Sequence, residues 1–408
     1  MPSHPQLKLM TDILKIKGVS VTNYQLIEEV GIVLYVEKIE KQAICPSCGR
    51  KGDKLHQNNC LTVRDLSVGE QAVYLKVNRR QMRCEHCGKK FTEELEYVNK
   101  KRTYTERFRK KIIEEVLNSD IKSVGKRNGV SEQEIETMLK DIGEELIEKK
   151  PQNLKKLGID EIAVVKGQKN YYVVLVDIEK SVIVGIIEKR TEEEVRKYLE
   201  AWEEGVLGQI EEVSMDLWKP YKKVAEELMP QAEIVADRFH VMKQVNEELN
   251  QGIKQVRREV KDLKNKAERE RISKGLKRSK YAILKNEEEL TEEQREKLEA
   301  VKKVSPCLGE KHQLKERFRN IFEKSQDWAE GLLQLGDWLR DAATQFPESC
   351  GTIRRWLGEI IAYFDNRTTQ GVVEGINNKL KLIKRRAYGF RNFENFKLRS
   401  FLTWHFVS

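Results

Sequence analysis

Three acidic residues that lie far apart in the chain have neighbours that could position them as metal ligands. Asp160 and Asp216 each follow a short apolar stretch, and Glu374 lies in the segment 371–379, which also contains two adjacent asparagines. Carboxylate oxygens are ligands that Mg²⁺ prefers in proteins. Two such ions, held about 4 Å apart by carboxylates, can catalyse the cleavage of a phosphodiester bond and the transfer of its phosphoryl group. The three residues therefore predict a catalytic site for phosphoryl transfer that uses Mg²⁺ or Mn²⁺.

The elements predicted around the two aspartates follow the order of an RNase H-like fold. Asp160 lies in a strand that is followed by two strands, a helix, a strand ending at Asp216, a helix and a last strand. The third carboxylate then comes from a later helix. The segments concerned are strands over 171–178, 182–187, 212–216 and 232–236, and helices over 191–202 and 218–228.

Glu374 is predicted to lie on the polar face of a basic helix. Residues at i+3, i+4, i+7 and i+11 share its helical face, and an apolar face lies opposite. Residues 379–399 contain eight Lys or Arg residues and a single acid, Glu394. We expect cations and amides of this segment to contact DNA phosphates. The polar face contains Glu374, Asn377, Asn378, Lys381 and Arg385; the apolar face contains Ile376, Leu380 and Ile383; further expected DNA contacts are Lys384, Arg386 and Arg391.

Three residues near the aspartates could compete with them or assist them. Glu161 directly follows Asp160 and is an alternative ligand. Asp237 ends the strand 232–236 and could bind the metal or support a ligand. His240 follows three residues later, and such a histidine is more often a packed or hydrogen-bonded core residue than a catalyst. The sequence leaves the roles of these three residues open.

Two Cys-x-x-Cys-Gly knuckles predict a closed metal site near the N-terminus. Two residues between cysteines allow both thiolates to reach one tetrahedral ion, and the following glycine permits the tight turn. A four-cysteine Zn²⁺ site has no open position, so its expected role is to stabilise the fold. The sequence does not distinguish zinc from iron. The predicted ligands are Cys45, Cys48, Cys84 and Cys87, and weaker candidates nearby are His56, Cys60 and His86.

Residues 103–145 predict three short helices in a helix-turn-helix arrangement. The second helix runs over 121–128, and residues 131–134 form a capping box that begins the third. The third helix, over about 132–140, would enter a major groove, and Lys126 and Arg127 would contact phosphates. Three glutamates make this helix acidic, which disfavours groove entry. The alternative is a three-helix packing domain without a role in DNA reading.

Charge and cysteine content restrict the class of protein. The 408 residues include 76 basic and 66 acidic side chains, for a net charge of +10. A basic excess suggests a nucleic-acid partner where the cations are clustered. No apolar run is long enough to span a bilayer and no secretory signal is recognisable, so we expect a cytoplasmic protein without a membrane partner. In that compartment, seven cysteines indicate metal binding or free thiols rather than disulfides.

Taken along the chain, these patterns predict a multidomain α/β protein. Its RNase H-like core is split by an all-helical insertion and is preceded by a small β-rich zinc domain and a helix-turn-helix. The predicted domains are 1–98 (zinc-binding), 99–150 (helix-turn-helix), 151–240 (core, first part), 241–350 (helical insertion) and 351–408 (core, second part, with the third carboxylate and the basic helix).

Several sequence blocks resemble the bacterial insertion-sequence transposases of the ISL-three group. The likeness covers about residues 15–404, and its most specific block is 384–393; the other blocks are the two knuckles, 63–66 and 236–241. The resemblance implies a DDE transposase with Asp160, Asp216 and Glu374 as its triad and with basic residues around 381–386 on the transposon ends. A related superfamily has an Arg four positions before the catalytic Glu. That position is Gln370 here, so only Lys381 matches the signature.

The expected function is that of a transposase of a mobile element. It would bind the terminal inverted repeats of an insertion sequence and catalyse Mg²⁺-dependent DNA cleavage and strand transfer. Its expected partners are double-stranded DNA, as transposon ends and as target, and further copies of itself in a homodimer or larger assembly. Two alternatives are a DNA-binding repressor with an inactive core, which binds the ends without cutting, and an RNase H-like nuclease that recognises DNA structure.

Overall fold

The computed structural model describes residues 3–52, 54–147, 149–163, 171–367, 371–390 and 392–406, and their contacts divide the chain into two units. The first unit contains the described residues of 1–144, 383–390 and 405–407. The second contains the described residues of 145–382 and 391–404. Arg391, one of the expected DNA contacts, lies outside the described residues.

The first unit begins with a helix that packs on a β-sheet. The sheet has five strands in the order β1-β2-β6-β5, with β7 paired to β6, and alternating residues such as Val63, Leu75 and Val77 form its core. The β-rich prediction is confirmed, whereas the N-terminal helix was not predicted. The elements are α1 (His4–Leu14), β1 (Val19–Ile27), β2 (Gly31–Lys38), β3 (Ala43–Ile44), β4 (Lys51–Gly52), β5 (Lys54–Val68), β6 (Gln71–Arg83) and β7 (Lys90–Thr92).

Three helices follow in the first unit, as predicted: α2 (Glu106–Leu117), α3 (Ile121–Asn128) and α4 (Glu132–Ile147). The capping box is present, because the Ser131 hydroxyl accepts from the Glu134 backbone N–H at 3.2 Å and the Glu134 carboxylate accepts from the Ser131 backbone N–H at 3.3 Å. Gly125 lets α3 approach the following turn, since a Cβ there would lie 2.6 Å from the Val130 carbonyl oxygen. The third helix is longer than the predicted 132–140 because its apolar stripe continues to Ile142.

The second unit contains a mixed five-stranded sheet in the order β10-β9-β8-β11-β12. The first three strands are antiparallel neighbours, and β8, β11 and β12 run parallel. This is the strand order of the predicted RNase H-like core, whose apolar residues pack against α5 and α7. The elements are β8 (Lys156–Ala163), β9 (Tyr171–Asp177), β10 (Val182–Ile187), α5 (Glu192–Glu200), α6 (Glu204–Leu207), β11 (Glu212–Met215), α7 (Lys219–Leu228) and β12 (Glu233–Ala236).

A helical segment follows the last strand, as predicted. Its core is aromatic, with Phe318 packed against Phe322 and Trp338. The predicted capping box at Thr291 is formed. The elements are α8 (Arg238–Lys261), α9 (Lys266–Leu276), α10 (Lys280–Leu284), a 3-10 turn (Glu287–Glu289), α11 (Glu292–Val304), α12 (Pro306–Lys324), α13 (Trp328–Asp341), α14 (Pro347–Arg355) and α15 (Leu357–Asn366).

The last two helices are α16 (Gly371–Arg386) and α17 (Phe393–His405). Val373 of α16 lies against Gly158 of β8, where an added Cβ would be only 2.9 Å from the valine Cγ2. This close approach positions the N-terminal part of α16 beside the strand that contains Asp160. Among the described residues, every helix is too short or too polar to cross a membrane.

Candidate active site and metal centre

The sheet of the second unit places Asp160 and Asp216 side by side. β8 and β11 are parallel neighbours with Ile159 opposite Met215, and Asp160 and Asp216 are the next residues of the two strands. One carboxylate oxygen of each aspartate lies within 4.8 Å of the other and of a His240 ring nitrogen. The pairing register therefore brings together two acids that are 56 positions apart in the sequence.

Asp160 is held by two hydrogen bonds. The Asn377 side-chain amide donates to its Oδ2 at 2.5 Å, and the Glu161 backbone N–H contacts its Oδ1 at 2.6 Å. Burial, together with the negative charge of Asp216, raises the pKa of Asp160 to about 6. Two acids in a site that disfavours their combined charge form a set of donors that a divalent cation would neutralise.

His240 contacts both neighbouring aspartates. Its Nδ1 lies 2.7 Å from Asp237 Oδ2 and also contacts Asp216 Oδ1. Burial disfavours the imidazolium, but the hydrogen bonds to Asp216 and Asp237 outweigh it and raise the pKa of His240 to about 10. Asp237 also caps α8 by accepting from the Phe239 N–H. The sequence left the role of His240 open and favoured a packed or hydrogen-bonded histidine, and the structure shows it hydrogen-bonded within the acidic cluster.

Glu161 lines the same cleft as Asp160, but its carboxylate is engaged by two other side chains. Its Oε1 lies 2.5 Å from the Arg190 Nε and accepts from the Tyr221 hydroxyl at 3.0 Å. The Arg190 guanidinium in turn lies over the Trp218 ring, 4.5 Å from its centroid. Burial raises the pKa of Glu161 to about 7 even beside this cation. Sequence reasoning missed Arg190 and Tyr221, because no local pattern links them to residue 161.

Glu374 lines the same cleft as Asp160 but lies outside the close group of Asp160, Asp216 and His240. The cleft has a volume of about 740 Å³, and its walls include Asp160, Asp237, His240, Glu374 and Lys381. Glu374 is exposed, and among the described residues the close group contains only the two aspartates and His240. Glu374 therefore lines the cleft of Asp160 without belonging to the close group of donors.

Asn377, which the sequence assigned to the polar face of α16 together with Glu374, is directed towards Asp160. Its side chain is buried at 5% exposure, because the amide is drawn to Asp160. The other face residues Asn378, Lys381 and Arg385 are exposed. Helix α16 thus donates one hydrogen bond to Asp160 through Asn377 and exposes the cations Lys381 and Arg385 to solvent.

The remaining expected DNA contacts have different surroundings. Lys126 and Arg127 are exposed on α3, and Arg127 Nε lies 3.4 Å from Glu115. Lys384 is half-buried, and Arg386 donates to the Asn118 side chain at 2.9 Å. Lys126 is therefore exposed to solvent, whereas Arg127 and Arg386 would exchange an existing partner for a phosphate.

The four knuckle cysteines form a group that fits a tetrahedral ion. The sulfurs of Cys45 and Cys87 are 3.7 Å apart, and those of Cys48 and Cys84 are 3.5 Å apart. Zinc–sulfur bonds of about 2.3 Å at tetrahedral angles place sulfurs about 3.8 Å apart, close to both values. The glycine after each knuckle has a positive φ, +70° at Gly49 and +71° at Gly88. The other candidates, His56, Cys60 and His86, lie outside this group within the described part of the chain.

Comparisons with known proteins show which protein family has this domain architecture. A profile of ISL3 DDE transposases, described as "Transposase", matches residues 157–400. The chain belongs to the ISL3 (ISL-three) family of transposases. Two further profiles match residues 41–87 and 93–143, and they are described as the zinc-finger of transposases IS204, IS1001, IS1096 and IS1165 and as the helix-turn-helix domain of the ISL3 family.

Individual transposases are similar to the ISL3 chain over long stretches. The transposase for insertion sequence element IS1001 of Bordetella parapertussis is 27% identical over 401 residues, which cover 96% of this chain and 97% of the relative. The transposase for element IS1557 of Mycobacterium tuberculosis is 31% identical over 259 residues, which cover 59% of this chain and 58% of the relative.

Family membership confirms the predicted transposase class, the zinc ribbon and the helix-turn-helix. The four-cysteine group coincides with the zinc-finger match, which supports Zn²⁺ as its ion. The helix-turn-helix match favours a DNA-binding module over a three-helix packing domain. The ISL3 protein is therefore a transposase that binds DNA.

Proposed function

We propose that this transposase cleaves DNA at the ends of its insertion sequence and transfers the exposed 3′ ends to target DNA in a Mg²⁺-dependent reaction. Asp160, Asp216 and Glu374 are the proposed metal ligands. The observation that carries the proposal is the adjacent placement of Asp160, on β8, and Asp216, directly after the parallel strand β11, beside a cleft that Asp160 and Glu374 both line. The proposal assigns the three carboxylates to one reaction centre.

The donor set fits magnesium, because carboxylate oxygens are ligands that Mg²⁺ prefers and burial disfavours an uncompensated charge on Asp160. When bound, Mg²⁺ would supply an activated water or hydroxyl and neutralise charge on the leaving oxygen. Asp160 is fixed for this role by Asn377, and Asp216 by His240. Glu374, which lies one helical turn before Asn377 and lines the same cleft, would complete the metal site.

The other side chains of the cleft are proposed to position DNA. Lys381 lies on the same helical face as Glu374, two turns later, and would hold a phosphate beside the cleavage point. Asn378, Lys384, Arg385, Arg386 and Arg391 would continue this contact, and Lys126 and Arg127 would hold the end recognised by the helix-turn-helix. Glu161, bound by Arg190 and Tyr221, supports the β8 strand and is not a proposed ligand.

We also propose the domain boundaries and the assembly state that the sequence suggests. The N-terminal segments 1–98 and 99–150 would recognise inverted repeats, and segments 151–240 and 351–408 would form the catalytic core around the insertion 241–350. Pairing two ends requires two active sites, so a homodimer or larger homo-oligomer would be the working form.

The test is a cleavage assay on DNA from the flanks of the protein's own gene. A labelled duplex with the presumed element end is incubated with and without Mg²⁺, using wild type, Asp160→Asn, Asp216→Asn and Glu374→Gln. Glu200→Gln, which changes an exposed glutamate of α5, is the matched control. A Mg²⁺-dependent nick at the element boundary is expected from wild type and control, slowed on the order of 10³-fold in the three variants.

Two results would redirect the assignment. Specific binding of the end by wild type without any nick would favour the repressor with an inactive core. Nicking of random or branched duplexes as readily as the element end would favour a structure-specific nuclease.

A further inference from the structure

The positive charge of the transposase is concentrated in one short segment. Residues 254–280 contain twelve Lys or Arg residues and four Asp or Glu residues, a net charge of +8 in a chain whose total is +10. The segment covers the end of α8, all of α9 and the first residue of α10. Outside it, the numbers of acids and bases nearly balance. The basic character of the protein is therefore a local property of its helical segment.

These cations are exposed and have no acidic partners. Ten of the twelve are exposed, and Arg257 and Arg269 are half-buried. In the described part of the chain, none of the twelve takes part in an ion pair, and no unprinted contact involves them. By contrast, Arg317 and Arg340 of the same helical segment are paired with Asp341 and Asp337. Like charges crowded without counter-charges repel one another, so the arrangement favours an external polyanion.

Part of the segment forms a concave surface suited to phosphate. A groove of about 560 Å³ is lined by five cations and the Ser273 hydroxyl, with no acidic residue on its wall. The five cations are Arg257, Lys261, Lys274, Lys277 and Arg278. Phosphate oxygens are recognised by this combination of Lys, Arg and hydroxyl donors.

The turn that presents three of these cations is anchored. Arg257 donates to the Leu276 carbonyl oxygen at 2.9 Å, and the buried Ser279 hydroxyl donates to the same oxygen at 2.9 Å. Lys297 donates to the Lys274 carbonyl oxygen at 3.2 Å. Lys274, Lys277 and Arg278 therefore extend from a fixed backbone, which reduces the entropy lost on binding.

The composition of the surface favours nucleic acid over other polyanionic partners. No large apolar side chain is exposed within 254–280, and the single aromatic Tyr281 that follows it is 75% exposed, so the surface offers few of the apolar contacts that anchor a protein to a lipid bilayer or to a peptide. Helix α8 also connects it directly to the active site, since His240 lies in its first turn and Arg257 is 17 residues later. At 1.5 Å per residue this is about 26 Å, the length of about eight base pairs of duplex.

We propose that the surface formed by residues 254–280 is a second DNA-binding site, which holds the phosphate backbone of a duplex about eight base pairs from the cleavage point. The identification of DNA as the partner rests on the proposed function. Binding there is independent of sequence, because Lys and Arg contacts to phosphate read no base. The site consists of other residues than the helix-turn-helix. It lengthens the stretch of duplex that the protein contacts and increases the dependence of DNA affinity on salt concentration.

The test compares two full-length variants that each lose three positive charges from the helical segment. The site variant is Lys274→Gln/Lys277→Gln/Arg278→Gln, and the control is Lys302→Gln/Arg317→Gln/Arg340→Gln, whose cations have acidic partners. Affinity for a random 30-base-pair duplex, a length of about three helical turns, is measured over a salt series without Mg²⁺. Each phosphate contact contributes about 0.9 to the slope of log K against log salt.

The site variant should lose about 2.7 from this slope and bind at least about tenfold more weakly at 0.1 M salt, while the control stays near wild type. A Lys274→Arg/Lys277→Arg variant should retain affinity, and equal melting temperatures would show that all variants fold. Equal effects of the site variant and the control, or no effect of either, would overturn the proposal. Loss of duplex RNA binding without loss of duplex DNA binding would assign the surface to RNA instead. Failure of cleavage in the assay above would leave these results unchanged.

Discussion

At the scale of single residues, Asn377 connects the helix of the third proposed ligand to the strand of the first. Its amide donates to Asp160, and its own Oδ1 is buried without a hydrogen-bond partner in the described structure. The orientation of the Asp160 carboxylate thus depends on this amide together with the Glu161 backbone N–H. We propose that Asn377 is a positioning residue rather than a catalytic one.

We predict that Asn377→Ala slows end cleavage by about 10- to 100-fold at saturating DNA, because Asp160 loses the donor that orients it. End affinity measured without Mg²⁺ should not change. The matched control is the exposed neighbour Asn378, whose change to Ala should weaken DNA binding instead and leave the rate at saturation nearly unaltered. The opposite division of effects between the two asparagines would contradict the assignment.

A second residue-scale prediction concerns His312 of α12. Neither of its ring nitrogens makes a hydrogen bond in the described structure, and its charged neighbours are Lys315, Glu316, Lys302 and Glu299. Burial, with a smaller effect of the Lys315 charge, lowers the pKa of His312 to about 4. The folded state therefore favours neutral imidazole, and this stability is complete above pH 6.5 and lost as the pH falls towards 4.

The loss should be about 3 kcal/mol of the free energy of unfolding, at 1.36 kcal/mol per unit. Denaturant unfolding of wild type and His312→Gln between pH 4 and 7 measures it. The wild type should lose about 3 kcal/mol more than the variant over this range. Parallel pH curves for the two proteins would show that His312 is not kept neutral by the fold.

At the scale of elements, the sequence block 63–66 explains how β5 and α2 are joined. The buried Asp65 accepts from the Thr105 hydroxyl at 2.7 Å and from the Arg107 Nε at 2.8 Å. Arg64 exchanges backbone hydrogen bonds with Thr103 and Thr105 across the same junction. The block that resembled other transposases is therefore structural: it fixes the helix-turn-helix to the sheet.

Asp65→Asn should destabilise the first unit by about 3 kcal/mol, because it leaves the Arg107 charge without its carboxylate in a partly buried place. Breaking a buried ion pair costs about 3 to 5 kcal/mol of the free energy of unfolding, and we expect the low end of this range because the Arg107 side chain is 34% exposed. Chemical denaturation followed by circular dichroism measures the change. The exposed pair Glu40–Lys51 provides a control, in which Glu40→Gln should cost less than about 1 kcal/mol.

Elements with a periodic pattern were predictable, and contacts between distant elements were not. The strand order around Asp160 and Asp216, the capped helices and the cysteine knuckles follow from local spacing. The pairing of Asn377 with Asp160 and of Arg190 with Glu161 depends on how α16 and the β10–α5 connection pack, which no local pattern contains. The helical wheel placed Asn377 on the face of Glu374, but it could not show that the amide is buried against Asp160, because that contact depends on how α16 packs on β8.

At the scale of the whole molecule, the two units differ in what stabilises them. The small sheet and knuckles of the first unit include the four-cysteine site, whereas the second unit has two large apolar clusters. The buried cluster beside the knuckles has only five residues (Ala43, Cys45, Met82, Cys84 and Phe91), and so small a core commonly depends on its metal. Metal removal should therefore destabilise the first unit more than the second.

Chelation of zinc, or Cys84→Ser, should therefore lower the melting temperature of the first unit and abolish binding to the element end. The transition of the second unit should remain. Differential scanning calorimetry with metal analysis measures both, and about one Zn²⁺ per chain is expected. The mutation Cys60→Ser, at an exposed cysteine outside the group, is the control and should change neither property.

The central claim is that Asp160 binds the catalytic metal, and a change of ligand type tests it most directly. In Asp160→Cys a thiolate replaces the carboxylate, and thiolates bind Mg²⁺ poorly but accept Mn²⁺ better. End cleavage by this variant should be lost with Mg²⁺ and recovered in part with Mn²⁺, while wild type is active with both ions. Wild-type rates for the variant in Mg²⁺ would contradict metal binding by Asp160 and with it the proposed catalytic centre.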